Sequence, residues 1–168
     1  YGFTGENGAW EDNVVFPNGT PDPIYISDWE WMFEIFDAAM ADLGITDGYC
    51  LSMYYMGYME SGELFNAFGG SNPMWYRDLD GKAAFAGTSE NMKSYLLCLN
   101  NWYEKGWLDK AFAEHTSDQA FSIDVSKIHT GKVGMWVGRV SQTGTQIDSG
   151  EELTKGAVVF GARPPIND

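Results

Sequence analysis

The chain has 168 residues and a formal net charge of −14, from 10 Lys and Arg residues against 24 Asp and Glu residues. This charge argues against nucleic acid as a partner, because a phosphate backbone requires clustered Lys and Arg side chains. It equally disfavours docking on an anionic membrane surface. Hydrophobic residues make up 44% of the chain and aromatic residues 15%, which is typical of a folded domain and excludes a disordered acidic tail.

Both ends of the sequence indicate a piece of a longer protein. The sequence begins at Tyr1 without an initiator Met or a signal peptide, and it stops shortly after Pro164 and Pro165 in a linker-like stretch. We therefore expect residues 1–168 to form a single domain cut from a larger chain. Residues 1–26 are dense in Gly, Pro, Asn and Asp, and they are predicted to be irregular.

The two cysteines are predicted to be free thiols. Cys50 lies in an apolar run that is typical of a strand, and Cys98 lies within a helical pattern beside its apolar stripe. Because a free Cys behaves as a small hydrophobic residue, we expect both to be buried and not joined in a disulfide. Two such thiols do not identify a cellular compartment.

Helices are predicted where apolar residues recur at helical spacing. The first begins at Ser27, whose hydroxyl would form a capping box with Glu30, and it ends at Gly44. The apolar stripe of this helix consists of Trp29, Met32, Phe33, Phe36, Met40 and Leu43. A second long helix begins at Thr88 or Ser89 and ends at Gly106. The stripe of the second helix consists of Met92, Tyr95, Leu96, Leu99, Trp102 and Tyr103. Shorter helices are predicted over residues 61–68 and 117–129.

Strands are predicted over the short apolar runs 49–53, 133–138 and 157–160. Residues 75–78 and 83–85 flank the pair Asp80-Gly81, which predicts a hairpin because both residues tolerate a positive φ. Strands that alternate with helices indicate an α/β fold, in which a small mixed sheet packs with helices.

Motifs that would identify an enzyme are missing from the sequence. His115 and His129 have no Cys, Asp or Glu partner at metal-ligand spacing. There is no Gly-x-Ser-x-Gly elbow, and Gly131-Lys132 lacks the upstream glycine of a phosphate-binding loop. We therefore predict no catalytic residue, no metal site and no cofactor.

Trp136 is the first candidate ligand-binding residue. It lies between Gly134 and Gly138 in the predicted strand, so no chain neighbour covers its ring. Strand alternation directs it away from the face shared by the apolar residues of this strand, which are Val133, Met135 and Val137. An open ring of this kind suits a flat ligand. Arg139 follows at the carboxyl end of the strand, where ligands bind in open α/β sheets.

Further candidates are aromatic residues in two other loops. Trp75 and Tyr76 stand at a loop–strand junction, and Tyr54 and Tyr55 follow the carboxyl end of a predicted strand. Trp and Tyr faces stack on the C–H-rich faces of sugars, and an aromatic cleft with a few polar groups is the usual form of a small-ligand site. The alternative is that these rings pack in the core or at a hinge, since Trp is highly buried on average.

Four segments occur in a recognisable order: residues 62–70 (GELFNAFGG), 75–82 (WYRDLDGK), 99–109 (LNNWYEKGWLD) and 131–138 (GKVGMWVG). In this order and spacing the chain resembles the second lobe of the extracellular solute-binding proteins, family 1 and carbohydrate type, of bacterial ABC importers. The resemblance covers most of residues 27–140. In that family the Gly-Lys-Val-Gly-Met strand lines the ligand cleft, so the resemblance places Trp136, Gly138 and Arg139 near the ligand.

The resemblance implies a type II, periplasmic-binding-protein-like fold of two α/β lobes joined by a hinge, of which this chain is the C-terminal-type lobe. The implied function is capture of a mono- or oligosaccharide between the lobes, without catalysis, for the permease subunits of an ABC importer. The implied location is extracellular or at the cell surface, through a lipid anchor outside this sequence, and the implied state is a monomer.

Two other functions stay open on the residues alone. An exposed aromatic patch would also suit a protein-interaction module. A carboxylate pair drawn from Glu60, Glu63, Asp78 and Asp80 would suit a glycosidase-like domain. With 24 acidic residues in the chain, clusters of this kind also arise on an ordinary solvated surface.

Overall fold

The computed structural model describes residues 14–52, 62–70, 74–78, 80–114, 125–136 and 161–168. Helices and strands alternate along these ranges, which confirms an α/β fold in general. The helices are α1 (Ile26–Asp42), α2 (Gly62–Asn66), α3 (Glu90–Glu104) and α4 (Val125–His129). The strands are β1 (Tyr49–Ser52), β2 (Trp75–Arg77), β3 (Ala83–Phe85) and β4 (Val133–Trp136). The predicted strand 157–160 and most of the predicted helix 117–129 lie outside the described residues.

β1 is the central strand of the fold. It pairs in parallel with β4, with Tyr49 opposite Val133 and Ser52 opposite Trp136. On its other side it forms an isolated parallel bridge from Leu51 to Leu108. All four β1 residues are buried, as expected for a strand in parallel pairing that is covered on both faces.

β2 and β3 form the predicted hairpin, an antiparallel pair separate from β1 and β4 among the described residues. The turn is closed by hydrogen bonds in which Asp78 N donates to Lys82 O and Gly81 N donates to Asp78 O. Gly81 has a φ of 82°, a conformation that a residue with a Cβ adopts only with strain. The Asp80-Gly81 signal is therefore confirmed.

The predicted capping box of α1 is wrong. The helix begins one residue earlier, at Ile26, and the Asp28 carboxylate accepts a hydrogen bond from Tyr25 N at 2.8 Å. The Ser27 hydroxyl donates instead to Asp168, and Glu30 accepts a hydrogen bond from the Trp102 indole. Both predicted capping groups are held by distant partners that compete with the local bond.

The core lies between α1, α3 and β1. Phe33 of α1 packs edge to face on Trp102 of α3, with ring centroids 5.1 Å apart. Cys50 of β1 donates its thiol to Phe33 O at 3.3 Å. α3 begins at the predicted cap Ser89, whose hydroxyl accepts from Met92 N. Most of the predicted stripe is buried or half-buried, although Leu96 on α3 and Leu43 at the end of α1 are exposed.

Residues 161–168 return to the start of α1. Ile166 forms a parallel bridge with Tyr25, and Asn167 N donates to Ala67 O at 3.0 Å. The Asp168 carboxylate accepts from Ser27 N and from the Ser27 hydroxyl, which places a negative charge at the positive end of the helix. A helix of sufficient length and apolar character to cross a bilayer is absent from the described ranges.

Candidate functional site

The carboxyl ends of β1 and β4 lie at one edge of their sheet, because the strands are parallel and Ser52 is opposite Trp136. In α/β sheets this edge is where small ligands bind. Two candidate segments of the sequence continue directly from it, one after Ser52 and one after Trp136. The candidate residues of those segments, Tyr54, Tyr55, Gly138 and Arg139, lie outside the described residues.

Trp136 itself is half-buried. It packs against a small cluster formed by Tyr49, Ile128 and Val133, whereas Met135 packs against the main core. The register pairs Val133 with Tyr49 and Met135 with Leu51. That Val133 and Met135 share a face opposite Trp136 follows from strand alternation and stays a prediction.

Gly134 serves helix packing. A Cβ built at this position would lie 2.5 Å from Phe36 Cδ2 and 3.0 Å from the Cys50 carbonyl oxygen. The side chain of Phe36, on α1, therefore occupies the space above the glycine. The glycine beside Trp136, which the sequence indicated as clearance for a ligand, is explained by the close approach of α1 to β4.

We expect Gly134→Ala to lower the free energy of unfolding by about 2 kcal/mol, the usual cost of overpacking a core. Urea denaturation followed by circular dichroism measures this difference. Gly161→Ala is the matched control, since no atom lies within 4 Å of a Cβ at Gly161. Equal stability of the two variants would contradict the packing role.

The outer face of the β2–β3 hairpin carries the exposed aromatic residues of the candidate site. Its exposed positions are Trp75, Arg77, Ala83 and Phe85, which we call the hairpin face. Trp75 is 61% exposed and lies opposite Phe85, with ring centroids 5.1 Å apart. Arg77 lies opposite Ala83, and its Nε donates to Gly81 O at 3.2 Å.

Tyr76 points the other way. Its ring meets Phe65 of α2 edge to face at 6.4 Å, so it anchors the hairpin to the core. The sequence proposed Trp75 and Tyr76 together, but neighbouring residues of one strand point to opposite faces. Sequence reasoning did not select Arg77 and Phe85, although the register set by the Asp80-Gly81 turn places both beside Trp75.

The hairpin face offers two adjoining aromatic rings and a guanidinium beside a small residue. Rings present a flat apolar surface, and the guanidinium presents several fixed N–H donors. This combination would suit a ligand with one apolar face and several oxygen acceptors. Trp75 and Trp136 lie on different sheets and pack against different residues, so the described contacts do not unite the predicted site residues into one site.

The carboxylates of the glycosidase hypothesis are only partly described. Asp78 accepts a hydrogen bond from Lys82 N at 2.7 Å, which stabilises the hairpin turn. Asp80 is exposed in that turn. Glu60 and the Glu63 side chain lie outside the described residues. Within the described ranges no three His, Cys, Asp or Glu side chains are grouped as metal ligands would be.

Both cysteines are free thiols, as predicted, but only Cys50 is fully buried and Cys98 is half-buried. Burial raises the pKa of the Cys50 thiol to about 12 and that of the Cys98 thiol to about 12. Because the thiolate is the reactive form, both side chains serve packing and are poor nucleophiles at neutral pH.

Comparison with known proteins found no matching family model, no matching curated protein and no matching solved structure.

Proposed function

We propose that this chain is one lobe of a carbohydrate-binding receptor of the type II solute-binding class, which delivers its ligand to the permease subunits of an ABC importer. The observation that carries the proposal is the exposed ring of Trp75 beside Phe85 and Arg77 on the hairpin face. The sugar stacks its C–H face on Trp75, and Arg77 donates hydrogen bonds to its hydroxyl oxygens.

The parallel pairing of β1 and β4 supports the same proposal. It brings Ser52 and Trp136 to the sheet edge where ligands bind in α/β folds. In the proposed receptor, a second lobe closes over this edge about a hinge, and the ligand stabilises the closed state. The receptor works outside the cell, on a lipid anchor in another part of the protein, and has no catalytic step.

A lone lobe supplies part of the enclosing surface, so we expect millimolar affinity for this chain, about −4 kcal/mol. Saturation-transfer NMR with a panel of mono- and oligosaccharides detects binding in this range. We expect Trp75→Ala to raise the Kd about fivefold, since aromatic contacts contribute about 1 kcal/mol beyond area burial. Leu97→Ala, which removes an exposed apolar side chain on α3, should leave the Kd unchanged.

Two results would contradict the proposal. One is the absence of saturation transfer from any sugar of the panel, and the other is an equal response of Trp75→Ala and the unsubstituted chain. Trp136→Ala, tested in the same way, determines whether the β1–β4 edge contributes to the same site.

A protein-interaction module is the second candidate, because Met74, which precedes Trp75 in the chain, is exposed as well as Trp75 and Phe85. These three side chains give the hairpin an apolar exposed surface, the usual mark of a protein contact. Light scattering at increasing concentration distinguishes the two functions. Self-association that Trp75→Ala abolishes, without any sugar response, would favour the interaction module.

A further inference from the structure

Residues 14–24 contact α1 through the ring of Phe16 and through hydrogen bonds to the Asp28 carboxylate. Phe16 is buried and meets Trp31 of α1 edge to face, with ring centroids 5.4 Å apart. Asn18 N donates to Asp28 Oδ1 at 3.1 Å, and Asn18 Nδ2 donates to Asp28 Oδ2 at 2.5 Å. Asp28 is completely buried and Asn18 is half-buried, so this amide–carboxylate pair, the Asn18 clamp, lies at the boundary between the core and solvent.

Asn18 is followed by Gly19, the dipeptide in which deamidation is least hindered because glycine has no side chain. In this reaction Gly19 N attacks Asn18 Cγ and loses its proton. A bond forms between the two atoms, the Cγ–Nδ2 bond breaks, and ammonia leaves. Water then opens the cyclic imide at either carbonyl to give an aspartyl or an isoaspartyl residue, so the net change is the exchange of ammonia for water.

The native contacts oppose every movement that this reaction requires. Gly19 N, the nucleophile, donates to Phe16 O at 2.8 Å. The leaving amide donates to Asp22 O as well as to Asp28, and Asn18 Oδ1 accepts from Thr20 N at 2.6 Å. The side chain therefore cannot rotate toward Gly19 N while the clamp is closed.

We propose that Asn18-Gly19 is a latent deamidation site, which the Asn18 clamp keeps closed in the native fold, and that its conversion weakens the attachment of residues 14–24 to α1. The product carries a carboxylate where the amide donated to buried Asp28. Two like charges then lie side by side, one of them on the buried Asp28, and the isoaspartyl form adds a backbone atom to the turn. Either product removes the hydrogen bond from the Asn18 amide to Asp28, which lies two residues from the Phe16 contact with Trp31.

The first test compares deamidation of Asn18 in the native chain and in concentrated urea, by peptide mass spectrometry and isoaspartate detection. Asn7-Gly8, the other Asn-Gly pair in the sequence, calibrates the intrinsic rate in urea. We expect Asn18 to react at least about tenfold more slowly in the native chain, because reaction requires local opening. Equal rates for Asn18 in the two conditions would overturn the proposal.

The second test compares the melting temperatures of Asn18→Asp and Asn18→Ala. Asn18→Asp keeps an oxygen that accepts from Thr20 N, and Asn18→Ala removes it. If only lost hydrogen bonds mattered, Asn18→Asp would be the milder change. We expect Asn18→Asp to melt at the lower temperature, since it alone places a charge against Asp28. A higher melting temperature for Asn18→Asp would refute the clamp.

Discussion

Trp102→Ala is expected to lower the free energy of unfolding by about 4 kcal/mol, a typical cost for loss of a buried aromatic side chain. Trp102 is 1% exposed and joins α3 to α1 in two ways. Its ring packs edge to face on Phe33, and its indole Nε1 donates to Glu30 Oε1 at 2.7 Å. The substitution leaves a cavity between the two long helices and removes a hydrogen bond to a charged acceptor.

Trp102→Phe separates these two effects. It keeps an aromatic ring in the core and removes the indole donor, so we expect a loss of about 2 kcal/mol. Urea denaturation followed by circular dichroism and tryptophan fluorescence measures both variants. A cost for Trp102→Phe equal to that of Trp102→Ala would contradict the share of about half that is assigned to ring packing.

The parts of the fold that sequence reasoning predicted depend on partners close in the chain. The Asp80-Gly81 hairpin requires only the conformations of two residues and the strands beside them. The Ser89 cap bonds to Met92, three residues away. Helix-ending glycines such as Gly106, with a φ of 80°, follow from local stereochemistry. In each case the deciding interaction lies within a few residues.

The failures have the opposite cause. Ser27 and Glu30 matched a capping box, but they bond to Asp168 and Trp102, which are 141 and 72 residues away. Gly134 lies against Phe36 of α1, a contact between distant segments that no local pattern around Trp136 indicates. Local patterns state which groups need partners, and the tertiary fold decides which partners they obtain.

The candidate site follows the same rule. The sequence could identify exposed Trp75, because a hairpin fixes register and alternation fixes faces. The same rules could also have identified Arg77, two positions along the same strand, and Phe85, opposite Trp75 across the turn. The sequence could not establish whether Trp75 and Trp136 meet, since that depends on how the hairpin sits relative to the β1–β4 sheet.

Asp28→Ala is expected to lower the free energy of unfolding by about 3 kcal/mol, because it leaves buried donors without an acceptor. The carboxylate accepts four hydrogen bonds, from Asn18 N, Asn18 Nδ2, Ile24 N and Tyr25 N. Burial acts to raise the pKa of Asp28, but the hydrogen bonds from Tyr25, Asn18 and Ile24 outweigh it and leave the pKa below its ordinary value.

The direction of this pKa shift predicts how the free energy of unfolding depends on pH. A carboxyl group whose pKa is lower in the folded state stabilises the fold above its unfolded pKa, about 3.9, and loses that contribution as the pH falls through the folded value. The stability difference between the unsubstituted chain and Asp28→Ala should therefore be constant near neutral pH and shrink in acid. Asp28→Asn, which keeps the shape, should still be destabilised, since its amide turns a donor toward other donors.

Asp47→Asn is the matched control for Asp28. The hydrogen bond from Lys132, at 2.8 Å, also lowers the pKa of Asp47, but this pair lies at the surface. Exposed ion pairs contribute little to stability, so Asp47→Asn should have nearly the same free energy of unfolding as the unsubstituted chain. If both substitutions lowered the free energy of unfolding equally, loss of the negative charge alone would account for the destabilisation. A loss confined to Asp28 would show that the buried hydrogen bonds join residues 14–24 to the start of α1.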